Sequence, residues 1–192
     1  SSFSALGSNA ITLAGGQLTM RVDDAVTSNT LFVVPNDILL TGNATIGVDR
    51  NTAATSGNTI AFRKLTLGSQ VLTVTSVGNG YTTGFNSVQL TGLAAVSAGT
   101  GAFLANVTDL GAGLSLIRNG TGALFFSGSQ SLSNGVWVNS DGSTAFSGGV
   151  YANPGGTLRF GTPLAVSGSA QAGIGNIFVN PGGMVQLESL AN

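Results

Sequence analysis

Apolar residues come in short runs of three to five, cut by Gly, Asn or Pro, and they alternate with Thr, Ser and Gln. Alternation with a period of two places one set of side chains on each face of a strand. In Ala10 to Val22, AITLAGGQLTMRV, Ile11 and Leu13 flank Thr12, and Leu18 and Met20 flank Thr19 after Gly15-Gly16. This reads as strand, glycine corner, strand, with one apolar face. Ile38 to Val48, ILLTGNATIGV, repeats the plan, and both segments run into Val-Asp, at Asp23 and Asp49. Between them Thr30 to Val34 is a further strand, expected to stop at Pro35-Asn36-Asp37. Asn58-Thr59-Ile60 echoes Asn29-Thr30-Leu31, and the phrase continues through Lys64 to Gly68 and Val71 to Val77.

Gly80 to Gly84 reads as a turn-rich bulge, after which Ser87 to Gly92 gives the phrase again. The closing glycines Gly15, Gly42, Gly68 and Gly92 recur at intervals of roughly 25 residues. Asp23 and Asp49 keep the same interval. The Ala- and Gly-rich stretches 93–104 and 107–117 suggest an irregular turn, with a short helical turn near Leu93 to Ser97. Strands are then predicted at Leu114 to Ile117, Ala123 to Phe126, Val136 to Val138 and Ser143 to Phe146. Asn139, Asn153 and Asn180 each follow a strand at a corner, as VWVNSDG, VYANPGG and IFVNPGG; Asn tolerates left-handed backbone and bonds its own neighbours. The last two corners, Pro154-Gly155-Gly156 and Pro181-Gly182-Gly183, are again one such interval apart, which is one pass of a coil. Such a unit buries its apolar face only by stacking on its neighbours. The pattern therefore predicts an all-β chain over residues 1–192, a single solenoid domain of about seven irregular parallel β-helix coils. With rungs at roughly 4.8 Å it would be a rod roughly 30 to 35 Å long.

Ile117 to Gly128, IRNGTGALFFSG, followed by Gly135 to Asn139, GVWVN, and Gly142-Ser143, resembles the passenger-associated repeat of bacterial autotransporters. Gly120, Thr121, Gly122, Ser127 and Gly128 stand where that repeat has them; the spacer SQSLSN lacks its usual Tyr-Thr-Gly-Gly-Thr phrase. Looser echoes lie at 150–161 and 177–189. The resemblance implies a single-stranded right-handed parallel β-helix, export to the bacterial outer surface or the extracellular space, and an extended stalk whose membrane barrel lies elsewhere in a precursor.

Composition narrows the chemistry. Charged residues make up 7% of the 192 residues, against roughly 25% in ordinary soluble domains. The surface must then be covered by hydroxyls, amides and backbone. Six Lys and Arg against seven Asp and Glu leave a net charge of −1, too little to hold nucleic acid. Hydrophobic residues at 42% argue for folding rather than disorder, yet no run approaches the 18 or so residues of a membrane helix. Cys is absent, which excludes a disulfide scaffold and thiolate metal sites. The chain opens at Ser1 without an initiator Met, so a processed piece of a longer exported protein is expected.

No His is present, removing the commonest general base and metal ligand. Asp23, Asp24 and Asp49 form the best acidic cluster, since a spacing of one coil would stack Asp23 on Asp49. That pair could serve glycoside hydrolysis or hold Ca²⁺ in a polysaccharide lyase; the plainer reading is that each caps a strand end, with Arg21 and Arg50 as surface partners. Arg63-Lys64 with Asp37 is the basic set a lyase would use. Gly78-Asn79-Gly80 and Gly111-Ala112-Gly113 lack the Gly-Lys-Ser/Thr completion of a phosphate loop and read as corners. Asn43, Asn106 and Asn119 open Asn-X-Thr acceptor sequences. Tyr81, Trp137 and Tyr151 would form a sugar platform if they point outward. Phe125 and Phe126 are consecutive and so take opposite faces of a strand, which marks a contact surface.

These readings converge on a non-enzymatic structural or adhesive element without cofactors, its partners being neighbouring coils or copies of itself and surface glycans. A polysaccharide-degrading β-helix enzyme and a carbohydrate-binding module are the alternatives. The last phrase, IFVNPGGMVQLESL, shows no evident cap, so an open strand edge is expected beside it.

Overall fold

The computed structural model describes residues 3, 6–23, 30–52, 56–76, 79–110, 112, 114, 116–119 and 123–127, and the strands 136–138, 150–152, 157–160, 177–179 and 184–187. Among them the chain forms strands β1 (Ile11–Leu13), β2 (Gln17–Arg21), β3 (Leu31–Leu40), β4 (Ala44–Asp49), β5 (Thr59–Leu67), β6 (Val71–Ser76), β7 (Thr82–Phe85), β8 (Val88–Leu90) and β9 (Ala94–Ala98). There follow β10 (Ala102–Ala105), β11 (Val107–Thr108), β12 (Leu116–Asn119), β13 (Ala123–Ser127) and β14 (Val136–Val138). The last are β15 (Val150–Ala152), β16 (Thr157–Phe160), β17 (Ile177–Val179) and β18 (Met184–Leu187).

Every described strand pair is parallel. The first sheet runs β1-β3-β5-β7-β10-β13-β16-β18, with β8 and β11 extending it beside β5. The second runs β2-β4-β6-β9-β12-β14, and β15 pairs with β17 in a third, short sheet. Up to β6 the chain visits the first two sheets in turn, an arrangement consistent with a parallel β-solenoid. The length of a pass varies, being longer where Ile11 pairs with Ile38 than where Thr83 pairs with Ala102.

The core lies between the sheets and is built from columns of like residues. On the first sheet Ile11, Ile38, Leu65, Val88 and Val107 stand in one column, and on the second Leu18, Ile46, Val74 and Ala98. Ile46, Leu65, Val74, Val88, Ala98 and Val107 are wholly buried, each large one worth about 1.5 to 3 kcal/mol against exposure. Phe62 and Phe85, on successive rungs, stack with ring centroids 5.8 Å apart. A single rung would leave all of these in water, so stability is gained only by adding rungs.

Four local expectations are corrected. Pro35-Asn36 does not end the strand: β3 runs through it, with a shift of register between Val34 and Asp37. Asn36 is drawn into the interior there and its amide donates to the carbonyls of Gly7 (3.0 Å) and Asn9 (2.7 Å), so a bulge accommodates the proline. Gly80 to Gly84 is not a bulge; Thr82 to Phe85 form β7. Leu93 to Ser97 do not make a helical turn, because Ala94, Val96 and Ala98 are buried on β9 and pairing with β6 overrides the helix preference of Ala. Finally, Thr59 pairs with Leu31, so the Asn58 and Asn29 phrases stand one residue out of step.

The last two phrases do stack as expected. Val150 pairs with Ile177 and Thr157 with Met184, both at the shift that separates Pro154 from Pro181. The corner residues Asn153, Pro154, Gly155, Gly156, Asn180, Pro181, Gly182 and Gly183, like Asn139 and the predicted strand at 143–146, lie outside the described residues.

Candidate functional site

The acidic cluster is set by the register of β2 on β4, where Arg21 stands opposite Asp49. Asp23 therefore lies two residues beyond, over Asn51, and does not stack on Asp49. Its carboxylate accepts from the backbone N–H groups of Asn51 and Thr52, both 2.7 Å away, and from the Thr52 hydroxyl at 2.6 Å. Asp49 is buried and accepts from the N–H of Arg50 at 2.8 Å and the amide of Asn79 at 2.7 Å. Asp23 caps the turn of the neighbouring rung, while Asp49 caps its own turn and takes a side-chain amide from the next rung. Asp24 lies outside the described residues.

Arg63 and Lys64 both leave the core because Phe62 and Leu65, only three positions apart, are both buried and the strand kinks between them. The Arg63 guanidinium makes a paired contact with Asp37, Nε to Oδ1 at 2.7 Å and Nη2 to Oδ2 at 2.9 Å. That hydrogen bond first, and the charge of Asp37 second, raise the Arg63 pKa above its ordinary value. Lys64 Nζ donates to Gln89 Oε1 at 2.6 Å on the adjacent rung. The basic set is brought together, but as an ion pair and a cross-rung strut on the outer face.

Tyr81 is not an outward platform. It is fully buried, its hydroxyl accepting from the Asn58 amide at 2.8 Å and donating to the Val22 carbonyl at 3.0 Å. Asn58 in turn accepts the N–H of Thr30 at 2.8 Å. An isolated aromatic beside glycines looks the same in sequence whether it faces water or bridges rungs; Val22 is 59 residues away along the chain.

Phe125 pairs in register with Phe103 and Arg159, and Phe126 with Leu104 and Phe160. Leu104 is wholly buried, so Phe126 falls in the register of a core column and Phe125 in that of an outer one. Trp137 pairs with Ile117, which pairs with Ala95, and Tyr151 pairs with Phe178. Trp137 on β14 and Tyr151 on β15 lie on neighbouring strands, and buried Tyr81 does not join them in an outward platform. Of the acceptor asparagines, Asn43 receives the N–H of Val71 at 2.9 Å and Asn106 donates to the Asn86 carbonyl at 3.0 Å, while Asn119 ends β12.

The feature that the residue pattern did not disclose is a groove of about 290 Å³ on the outer face of the first sheet. In the outer column Val33, Ala61, Gly84, Phe103, the side chains run large, small, absent, large. Ala61 and Gly84 make the floor, Leu31 one wall and Phe103 the other, with Thr59, Asn86 and Ala105 around the rim. Leu31 and Val33 are 59% and 53% exposed, which is high for such residues on a paired strand. The sequence signal was Gly84 within an alternating run, where a glycine marks close approach or missing bulk.

Among the described residues no three Asp or Glu side chains gather as a metal site would require, and no helix is long and apolar enough to cross a membrane. No protein-family profile, curated protein or solved structure matches this chain.

Proposed function

We propose that this chain is a single-stranded right-handed β-helix serving as a rigid stalk, fibre or matrix element of an exported bacterial surface protein, without catalytic activity. The observation that supports it best is the unbroken path of parallel strands in the first sheet, whose eight members are one more than the about seven coils expected. Such a stack resists bending because each rung is bonded to the next along its whole length and shares one core with it. The chemistry-bearing side chains serve the same end: Asp23, Asp49, Lys64 and Tyr81 each bond across rungs. A polysaccharide-cleaving site would want carboxylates free to act, and those of Asp23 and Asp49 are taken up by backbone N–H groups of residues 50–52 and by the Asn79 amide. The right hand and the export to the outer surface rest on the resemblance of residues 117–148 to passenger repeats.

The chain's partners on this reading are flanking coils or further copies of itself. Electron microscopy of the native material is the test. Thin unbranched rods or filaments of constant width are expected; compact particles with no long axis would overturn the reading.

A further inference from the structure

We propose that the groove over Ala61 and Gly84 is a binding subsite for one or two neutral pyranose units. Its floor offers no backbone to a ligand, since β5, β7 and β10 are each paired on both sides. An extended peptide therefore has no strand edge to add to at this place. What remains is recognition by side chains. The depression exists because Gly84 has none: a Cβ there would stand 3.2 Å from the Ala61 Cβ and 3.5 Å from the Thr59 methyl.

Size and charge select the occupant. A volume of about 290 Å³ lies at the lower end of small-molecule sites, whereas a stable protein interface covers about 800 Å² on each partner. No charged residue lines the groove. One step past the Phe62–Phe85 pair, Arg63 stands beside Asn86, and its charge is answered by Asp37. The site is then an aromatic wall at Phe103, an apolar floor, and a rim of polar groups from Asn86 and Thr59. That combination suits a ring with one C–H face and a hydroxylated edge. The face lies against Phe103 and the floor, and hydroxyls donate to the Asn86 side-chain oxygen and the Thr59 hydroxyl or accept from the Asn86 amide. An anionic sugar would gain little, since no charged residue lines the groove.

This inference is independent of the stalk reading, and the two fail separately: rods without sugar binding sink only this one. The test uses the full ¹⁵N-labelled chain titrated with cellobiose, maltose and digalacturonate, followed by amide chemical shifts. Saturable shifts with at least one neutral disaccharide are expected, centred on Ala61, Gly84, Asn86 and Phe103, with digalacturonate weaker. Phe103→Leu, which keeps the apolar bulk and removes the ring, and Asn86→Ala, on an exposed side chain, should each weaken binding about tenfold or more. No saturable shift with either neutral sugar, tighter binding of digalacturonate, or shifts that survive both substitutions unchanged would each overturn the proposal.

Discussion

The two ends of the first sheet's strands meet the same problem, turning a chain over the rung below, by opposite chemistry. At the end following β1, β3, β5 and β8, the corner is closed by leaving side chains out. Gly42 donates its N–H to the Leu13 carbonyl at 3.2 Å, and a Cβ on it would land on the carbonyl oxygen of Ala14. Gly92 is similarly placed, its absent Cβ 2.8 Å from the Ser69 hydroxyl. At the end preceding β3, β5 and β7, the corner is closed by putting a large polar side chain in. The Tyr81 and Asn58 side chains bond to each other and tie Val22 and Thr30 across rungs, the Tyr81 bonds being buried and the Thr30 bond partly so. The glycine corner sets how closely rungs approach, and the tyrosine corner sets which rungs are joined. One is steric and indifferent to partner; the other is directional.

The difference can be tested by substitutions read out as chemical denaturation midpoints. Tyr81→Ala should have the largest effect, about 3 to 5 kcal/mol, because it empties a large buried site as well as stranding its partners. Gly42→Ala follows at about 3 kcal/mol, the upper part of the usual overpacking range, since the obstacle is backbone and cannot swing away. A cost below about 1 kcal/mol there would mean that close approach is not what closes this corner. Tyr81→Phe isolates the hydroxyl and should cost about 2 kcal/mol, as it leaves the Asn58 amide and the Val22 carbonyl short of a partner in the interior. A neutral result would make that corner a matter of packing alone. Arg63→Gln should leave the midpoint where it is, the pair with Asp37 being on the outer face with Arg63 66% exposed. Because the Arg63 pKa is raised, the guanidinium's contribution to that pair is constant through neutral pH and is lost only as pH climbs through the folded value, so the variant and parent should track each other through neutral pH.

The strand pattern of the first half was legible because Ile11 and Leu13 flank Thr12 and Leu65 and Leu67 flank Thr66, with Ile38 and Leu40 keeping the same spacing across Leu39. The Pro35-Asn36 bulge was not, since proline reads as a stop unless something takes up the extra residue, and here Asn36 does so by bonding to the carbonyls of Gly7 and Asn9. The glycine corners were legible as a spacing and slightly misassigned: Gly15 stands over Gly42, but continuing the register puts Ser69, not Gly68, next, with Gly92 over it. As for the site, Arg63, Lys64 and Asp37 were rightly grouped, Asp23 falls over Asn51 instead of stacking on Asp49, and the groove went unseen because it is formed by missing bulk on two rungs.

By itself the sequence determined the strand alternation, the glycine and asparagine punctuation, and a repeat of coil length. The alternation has a period of two, so a register that stacks Asp23 on Asp49 would bury the same faces as the observed one, in which Arg21 stands over Asp49. The choice between them, and with it the placing of Asp23 over Asn51 instead of Asp49, was left to the tertiary structure, where cross-rung bonds at the corners distinguish the two. The register that the Asn58 and Asn29 echo suggested would put buried Ile60 over exposed Leu31, and the period of two forbids it. Which aromatic turns inward was likewise decided only when Tyr81 found Val22 across 59 residues, a contact that no local pattern carries.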